Sequence, residues 1–145
     1  MRHEKIQFNL IQETIDYLKK LPDPKFDMAT FAKWMPDKDW EDETTAPDER
    51  QEMEGFFDYC GTAGCLAGHL GAIHKLLYAE INDHTPALVW GISHTMSRRL
   101  TMSGEFYGRK IIDLVTKEDV IEALQKMVDT GEEHTGRLHT GRLFL

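Results

Sequence analysis

Residues 60–77 read Cys-Gly-Thr-Ala-Gly-Cys-Leu-Ala-Gly-His-Leu-Gly-Ala-Ile-His-Lys-Leu-Leu, and the glycines at 64, 68 and 71 restrict the possible folds more than any other feature of the chain. Wound as a helix over residues 65–78 at about 100° per residue, the stretch puts Leu66, Leu70, Ile73 and Leu77 on one stripe, with Cys65, His69, Ala72 and Leu76 along its edge. Gly64, Gly68 and Gly71 fall on the opposite side. A glycine inside a helix costs about 1 kcal/mol relative to alanine, so three on one face require a compensating contact such as the close approach of a neighbouring helix backbone. A helix that is apolar on one side and small on the other belongs at the centre of a fold.

The remaining sequence supplies helices to surround it. Phe8, Ile11, Ile15 and Leu18, widened by Ile6, Leu10 and Leu21, predict an amphipathic helix over 4–21 that stops at Pro22 and Pro24. Asp27 has the chemistry of an N-cap for a short helix over 28–35, with Phe31, Trp34 and Met35 as core bulk and Pro36 as its end. Thr85-Pro86 opens another helix, and Leu88, Ile92, Met96 and Leu100 recur every four residues. Gly91 is placed to divide that run, Ser93 to cap its second half, and Arg98 and Arg99 to complement a helix C-terminus. Phe106 and Tyr107, between Gly104 and Gly108, read as loop aromatics that tuck inward. Residues 111–115 have no partner run and read as an extended connector or a helical turn. Thr116 to Asp119 resembles a capping box, followed by Val120, Leu124 and Met127 and stopped by Gly131. The expected fold is mostly α: a single compact domain over 1–131, of about five helices around the glycine-rich one, with a long acidic loop at 37–54. Residues 132–145 form a tail carrying His134-Thr-Gly-Arg-Leu138 and its repeat His139-Thr-Gly-Arg-Leu143, too few copies for a solenoid.

Bulk properties narrow the class. A chain of 145 residues with 41% hydrophobic and 29% charged residues can bury roughly two-thirds of its surface as one globular domain. No apolar run reaches the roughly 18 residues of a membrane-spanning helix, and the polar start lacks the core of a signal peptide, so a cytoplasmic location is expected. The net charge of −8 argues against direct nucleic-acid binding, which needs clustered Lys and Arg. Nine acidic residues between 37 and 54 face only Lys38 and Arg50, so this one segment carries seven of the eight net negative charges. With Pro47 inside it and almost no aliphatic residues, the segment reads as a loop or linker. Its carboxylates at Glu41, Asp42, Glu43, Asp48 and Glu49, with Trp40 as an anchor, are candidates for contact with a basic partner.

Chemistry competes with packing in the central stretch. Cys65 and His69 lie four residues apart on one helix face, and Cys60 in the preceding turn with a distant His84 or His94 would complete a zinc tetrahedron. The Cys60–Cys65 spacing also suits a disulfide or redox pair. Cys65 in a first helical turn, with a histidine as base, is the arrangement of a nucleophilic cysteine enzyme, although no orienting Asn or Asp is identifiable.

Cys60-Gly-Thr-Ala-Gly-Cys-Leu-Ala-Gly-His69 resembles a Cys-Gly-Thr-x-x-Cys-x-Ala-Gly-Trp signature of small uncharacterised bacterial and phage proteins. Phe26-Asp-Met28, Trp90-Gly-Ile-Ser93, residues 116–120 and Thr130-Gly131 are similar in kind and order to segments of those proteins. This sequence departs from the signature in having His69 where an aromatic residue is expected, which points to packing at that position rather than ligation. The resemblance implies a small helical protein of a phage or prophage setting and carries no established activity. Taken together, the expectation is a non-enzymatic interaction protein of the bacterial cytoplasm that binds a host protein through the acidic face and takes no cofactor. A zinc-stabilised or thiol-dependent domain using Cys60, Cys65 and His69 is the alternative, and a protein that sequesters a small molecule such as a nucleotide is a third.

Overall fold

The computed structural model describes residues 6–34, 47–58 and 62–132, and the fold is mostly α. The first helix, α1 (Phe8–Lys20), buries Ile11, Ile15 and Leu18, the stripe its spacing predicts. It packs chiefly on the last, α5 (Lys117–Thr130), which buries Val120, Leu124 and Met127. The α5 capping box is present: Thr116 Oγ1 accepts from Asp119 N at 3.1 Å, and Asp119 Oδ2 accepts from Thr116 N at 3.0 Å. Gly131 closes the helix at φ 71°. Arg109 donates twice to the same carboxylate, at 2.8 and 3.1 Å. Burial alone would push Asp119 up, but these bonds outweigh it and hold the carboxyl below its ordinary range. Lys117 Nζ reaches back 96 residues to the Leu21 carbonyl at 2.6 Å and ties the end of α1 to the start of α5.

Between them run α2 (Leu66–Ile73), α3 (Thr85–Trp90) and α4 (His94–Met102). Gly91 in the left-handed region at φ 76° separates α3 from α4, and Ser93 Oγ caps α4 by accepting from Met96 N at 3.1 Å. The break has a consequence the four-residue spacing misses. Because Gly91 turns the chain, α3 does not continue the buried face of α4, and Leu88 is left 70% exposed while Ile92, Met96 and Leu100 are buried. Phe106 and Tyr107 do tuck inward, and the Tyr107 hydroxyl donates to the Leu100 carbonyl at 2.6 Å. Residues 111–115 form the helical turn Ile112–Leu114.

Two segments depart from expectation. Of the helix expected over 28–35, the described residues 28–34 do not form one: Asp27 Oδ1 accepts from Ala29 N at 2.9 Å, which closes a short turn, and the chain then extends into strand β1 (Lys33–Trp34). The helix loses because these residues find better partners across the chain. Strand β1 pairs antiparallel with β2 (Thr62–Ala63), Asp27 N donates to the Gly64 carbonyl at 2.9 Å, and Cys65 N donates to the Thr30 carbonyl at 2.9 Å. Residues 47–54 of the acidic segment are not a free linker either. Met53 is fully buried, and main-chain bonds join Met53 N to Leu76 O, Tyr78 N to Gln51 O and Ala79 N to Glu49 O at 2.8–3.0 Å.

The central glycines therefore face extended chain rather than a helix. A Cβ at position 68 would lie 1.7 Å from the Phe31 carbonyl oxygen, and one at position 64 would lie 2.5 Å from the same atom. Gly71 differs, since its nearest neighbour is the tip of the Ile81 side chain at 2.5 Å. Leu66, Ala67, Leu70 and Cys65 bury the other side of α2. Gly68→Ala should accordingly destabilise the protein by about 3 kcal/mol or more, because backbone must move, whereas Gly71→Ala should cost about 1–2 kcal/mol through a displaced side chain. Chemical denaturation of the two variants beside the parent checks the order, and equal costs would refute the carbonyl contact as the reason for glycine at 68.

Candidate functional site

The residues richest in chemistry, Cys65 and His69, lie inside the core. His69 is fully buried, and both of its ring nitrogens are engaged. Nε2 lies 2.8 Å from the Lys25 carbonyl oxygen, which only a ring N–H can satisfy, so Nε2 donates. Nδ1 is then the acceptor and takes the Tyr17 hydroxyl at 2.7 Å. The ring stacks on Phe57 with centroids 3.9 Å apart and lies nearly parallel to Phe26 at 6.0 Å, with Tyr17 tilted beside it. Burial lowers the His69 pKa to about 4, and burial with the nearby Asp58 raises that of Tyr17 to about 12. At neutral pH the pair is an uncharged hydrogen-bonded unit, with no open lone pair on the imidazole for a metal ion.

Cys65 is a free, buried thiol standing as the N-cap of α2. Burial raises its pKa to about 11, against the opposing pull of the Gly68 and Ala67 amides. The helix start alone would favour thiolate, so here desolvation wins, and the group lacks the lowered pKa of an activated nucleophile. His84 and His94, considered above as a fourth ligand, are exposed at the corner of α3 and α4 and pair with each other instead, ring centroids 4.4 Å apart. Among the described residues no three His, Cys, Asp or Glu side chains are placed to hold a metal ion together. Cys60 lies outside the described residues.

Of the acidic candidates, Trp40, Glu41, Asp42 and Glu43 also lie outside the described residues, whereas Asp48 and Glu49 are exposed at the edge of the fold. Asp48 Oδ1 accepts from Arg50 N at 2.8 Å and so stiffens the turn that carries both carboxylates. Glu52 and Glu54 are exposed beyond them, and Glu54 lies 3.6 Å from Lys75 on the surface. Residues 47–54 thus offer exposed carboxylates on a pinned backbone. No helix among the described residues is long and apolar enough to cross a membrane.

The residue that sequence reasoning came nearest to explaining is His69. Packing rather than ligation is the expectation at that position, and the structure surrounds the imidazole with Phe26, Phe57 and Tyr17, an environment that suits a flat ring carrying one N–H. What the spacing could not reveal is that Tyr17, 52 residues away, supplies the second partner. Comparison of the chain with family models, curated proteins and solved structures finds no match.

Two outcomes follow from the buried imidazole. His69→Phe keeps a ring but strands the Lys25 carbonyl and the Tyr17 hydroxyl, and should cost about 2–4 kcal/mol. Because the folded pKa, about 4, lies below the ordinary 6.5, the folded state binds fewer protons than the unfolded state between these values. The stability that neutral His69 contributes is therefore complete above pH 6.5 and is lost as pH falls toward 4, by up to about 3 kcal/mol. Denaturant unfolding from pH 7 to pH 4 should show this slope in the parent and a shallower one in His69→Phe; parallel profiles would contradict it.

Proposed function

We propose that this chain is a non-enzymatic interaction protein that holds a basic macromolecular partner on the acidic surface of residues 37–54. Trp40 is the anchoring side chain of that surface, and Glu41, Asp42, Glu43, Asp48 and Glu49 supply its charge. The observation that supports this reading most is the way residues 47–54 are held. A solvated linker has no need of a buried Met53 or of three main-chain bonds to residues 76–79, yet both are present beneath Asp48 and Glu49. Charges fixed in place lose less entropy on meeting a partner than charges on a mobile loop, and they steer association at long range. The resemblance to small bacterial and phage proteins makes the partner a host protein of the bacterial cytoplasm, captured in the manner of a host-takeover or anti-defence factor.

The alternative built on Cys60, Cys65 and His69 has weaker support. A zinc or thiol role needs an open imidazole lone pair or an ionisable thiol, whereas His69 is bonded at both nitrogens and burial raises the Cys65 pKa to about 11.

Replacing Glu41, Asp42 and Glu43 by lysine together, and the exposed Glu49 by lysine separately, should each leave the melting profile close to that of the parent. Both variants should lose partner capture in pull-downs from bacterial lysate, and capture by the parent should weaken as salt rises. A folded triple variant that captures the same protein as the parent would remove the acidic surface from consideration.

A further inference from the structure

Two histidines meet at the corner between α3 and α4. His84 stands in the turn ahead of α3 and His94 is the first residue of α4, and their rings lie with centroids 4.4 Å apart and planes inclined by 36°. Both are exposed on an open cleft of about 420 Å³. They differ from His69, whose two ring nitrogens are both bonded inside the core. Among the described residues the ring and polar contacts of these imidazoles are with each other and, for His84, with Asp83. The Asp83 carboxylate lies 3.8 Å from His84 Nε2, too far for a hydrogen bond. A neutral imidazole keeps one nitrogen lone pair, so the corner holds two that no hydrogen bond within the described residues occupies.

Hydrogen bonds hold the backbone that carries the two rings. Ser97 Oγ, inside the corner, donates to the Asp83 carbonyl at 2.7 Å and accepts from Ala87 N at 3.2 Å. Thr101 Oγ1 donates to the Ser97 carbonyl at 2.9 Å and lies 3.4 Å from the same Asp83 oxygen. On the other side of the turn, His84 N donates to Asn82 Oδ1 at 2.8 Å and Asn82 N to Thr85 Oγ1 at 2.9 Å. The turn bearing His84 is thereby fastened to the helix bearing His94, and the pair is set before any ligand arrives. The Asp83 carboxylate also takes Arg98 Nε at 3.2 Å, so these two residues together add no net charge beside the rings. A carboxylate next to an imidazole is the usual support of a metal-binding histidine.

We propose that His84 and His94 together ligate a divalent transition-metal ion of the nickel(II) or copper(II) kind, for which imidazole is a suitable donor. The ring separation selects the geometry. Two imidazoles bound through nitrogen at about 2.0–2.1 Å, with a right angle between the bonds, have centroids about 4.5 Å apart; at the tetrahedral angle the separation is about 5.2 Å. The observed 4.4 Å therefore suits adjacent positions of a square-planar or octahedral ion better than the tetrahedron of structural zinc. Because no group of three His, Cys, Asp or Glu among the described residues is placed to hold a metal, the ion keeps open positions for water or a small chelating molecule. This site shares no residue with the acidic surface and stands or falls apart from it.

Nickel(II) nitrilotriacetate, a chelate with two adjacent open positions, is the probe, added to the full chain near neutral pH and followed by two-dimensional NMR. The paramagnetic ion should broaden the signals of His84, His94 and Thr95 first and saturably, and excess imidazole should restore them. His84→Gln and His94→Gln, both at exposed positions, should each weaken binding about tenfold or more without moving the melting temperature, because the second ring binds at the high effective concentration set by the first. The proposal is overturned if no signal broadens, or if the broadening centres on other histidines of the chain. It also fails if a folded single variant keeps the parent affinity, since the rings then bind independently; should one variant fail to fold, the other decides.

Discussion

The carbonyl oxygen of Phe31 occupies the space that side chains at positions 64 and 68 would fill, and most of the central architecture depends on that approach. It brings extended chain against the start of α2, which lets the amide of Cys65 reach Thr30 and the ring of His69 reach Lys25. Once those bonds are made, residues 26–34 cannot also be a helix. The cost of glycine in α2, about 1 kcal/mol at each interior position, is offset by a contact that no larger residue permits. Packing and polar satisfaction act here on the same atoms. The imidazole that fills the aromatic cluster is also the group that satisfies two buried polar partners.

The elements visible in the sequence were those whose signals are local. The stripe of α1, the capping box of α5, Gly91 and Ser93 at the α3–α4 break, and the inward Phe106 and Tyr107 each follow from residues within a few positions of one another. The elements that misled were those decided by distant chain. Asp27 is followed by residues that suit a helix, yet Gly64 and Cys65 claim their backbone groups; residues 47–54 look like a linker until Leu76 and Tyr78 are found beside them. The glycines announced a close approach without revealing what approached. For the candidate sites, position in sequence showed that Cys65 and His69 share a helix edge, but desolvation and a partner 52 residues away decide what those groups can do. His84 and His94 were named only as distant ligands, and that their rings meet was not legible because the turn between them is held by Ser97, a residue with no outward sign of that role.

The charge of the chain is organised rather than averaged. Carboxylates concentrate in residues 37–54 of the sequence, and the main chain of 47–54 is fastened to the core. Asp48 and Glu49 are thus backed by fixed backbone. Charges borne on such backbone need little reorganisation to meet a group of opposite sign, and the net charge of the whole chain is a poor guide to where they lie.

Although the structure is built mainly of helices, its centre is assembled from segments far apart along the chain. The imidazole of residue 69 cannot find its partners until residues 17 and 25 have been brought back to it, and the tie from Lys117 to Leu21 spans most of the chain. Closing such loops must precede any reward from the contacts they create, so the transition state for folding carries an entropic burden more typical of β-rich domains than of helical bundles. During synthesis α1 emerges long before α5, the helix it packs on most, which follows some hundred residues later.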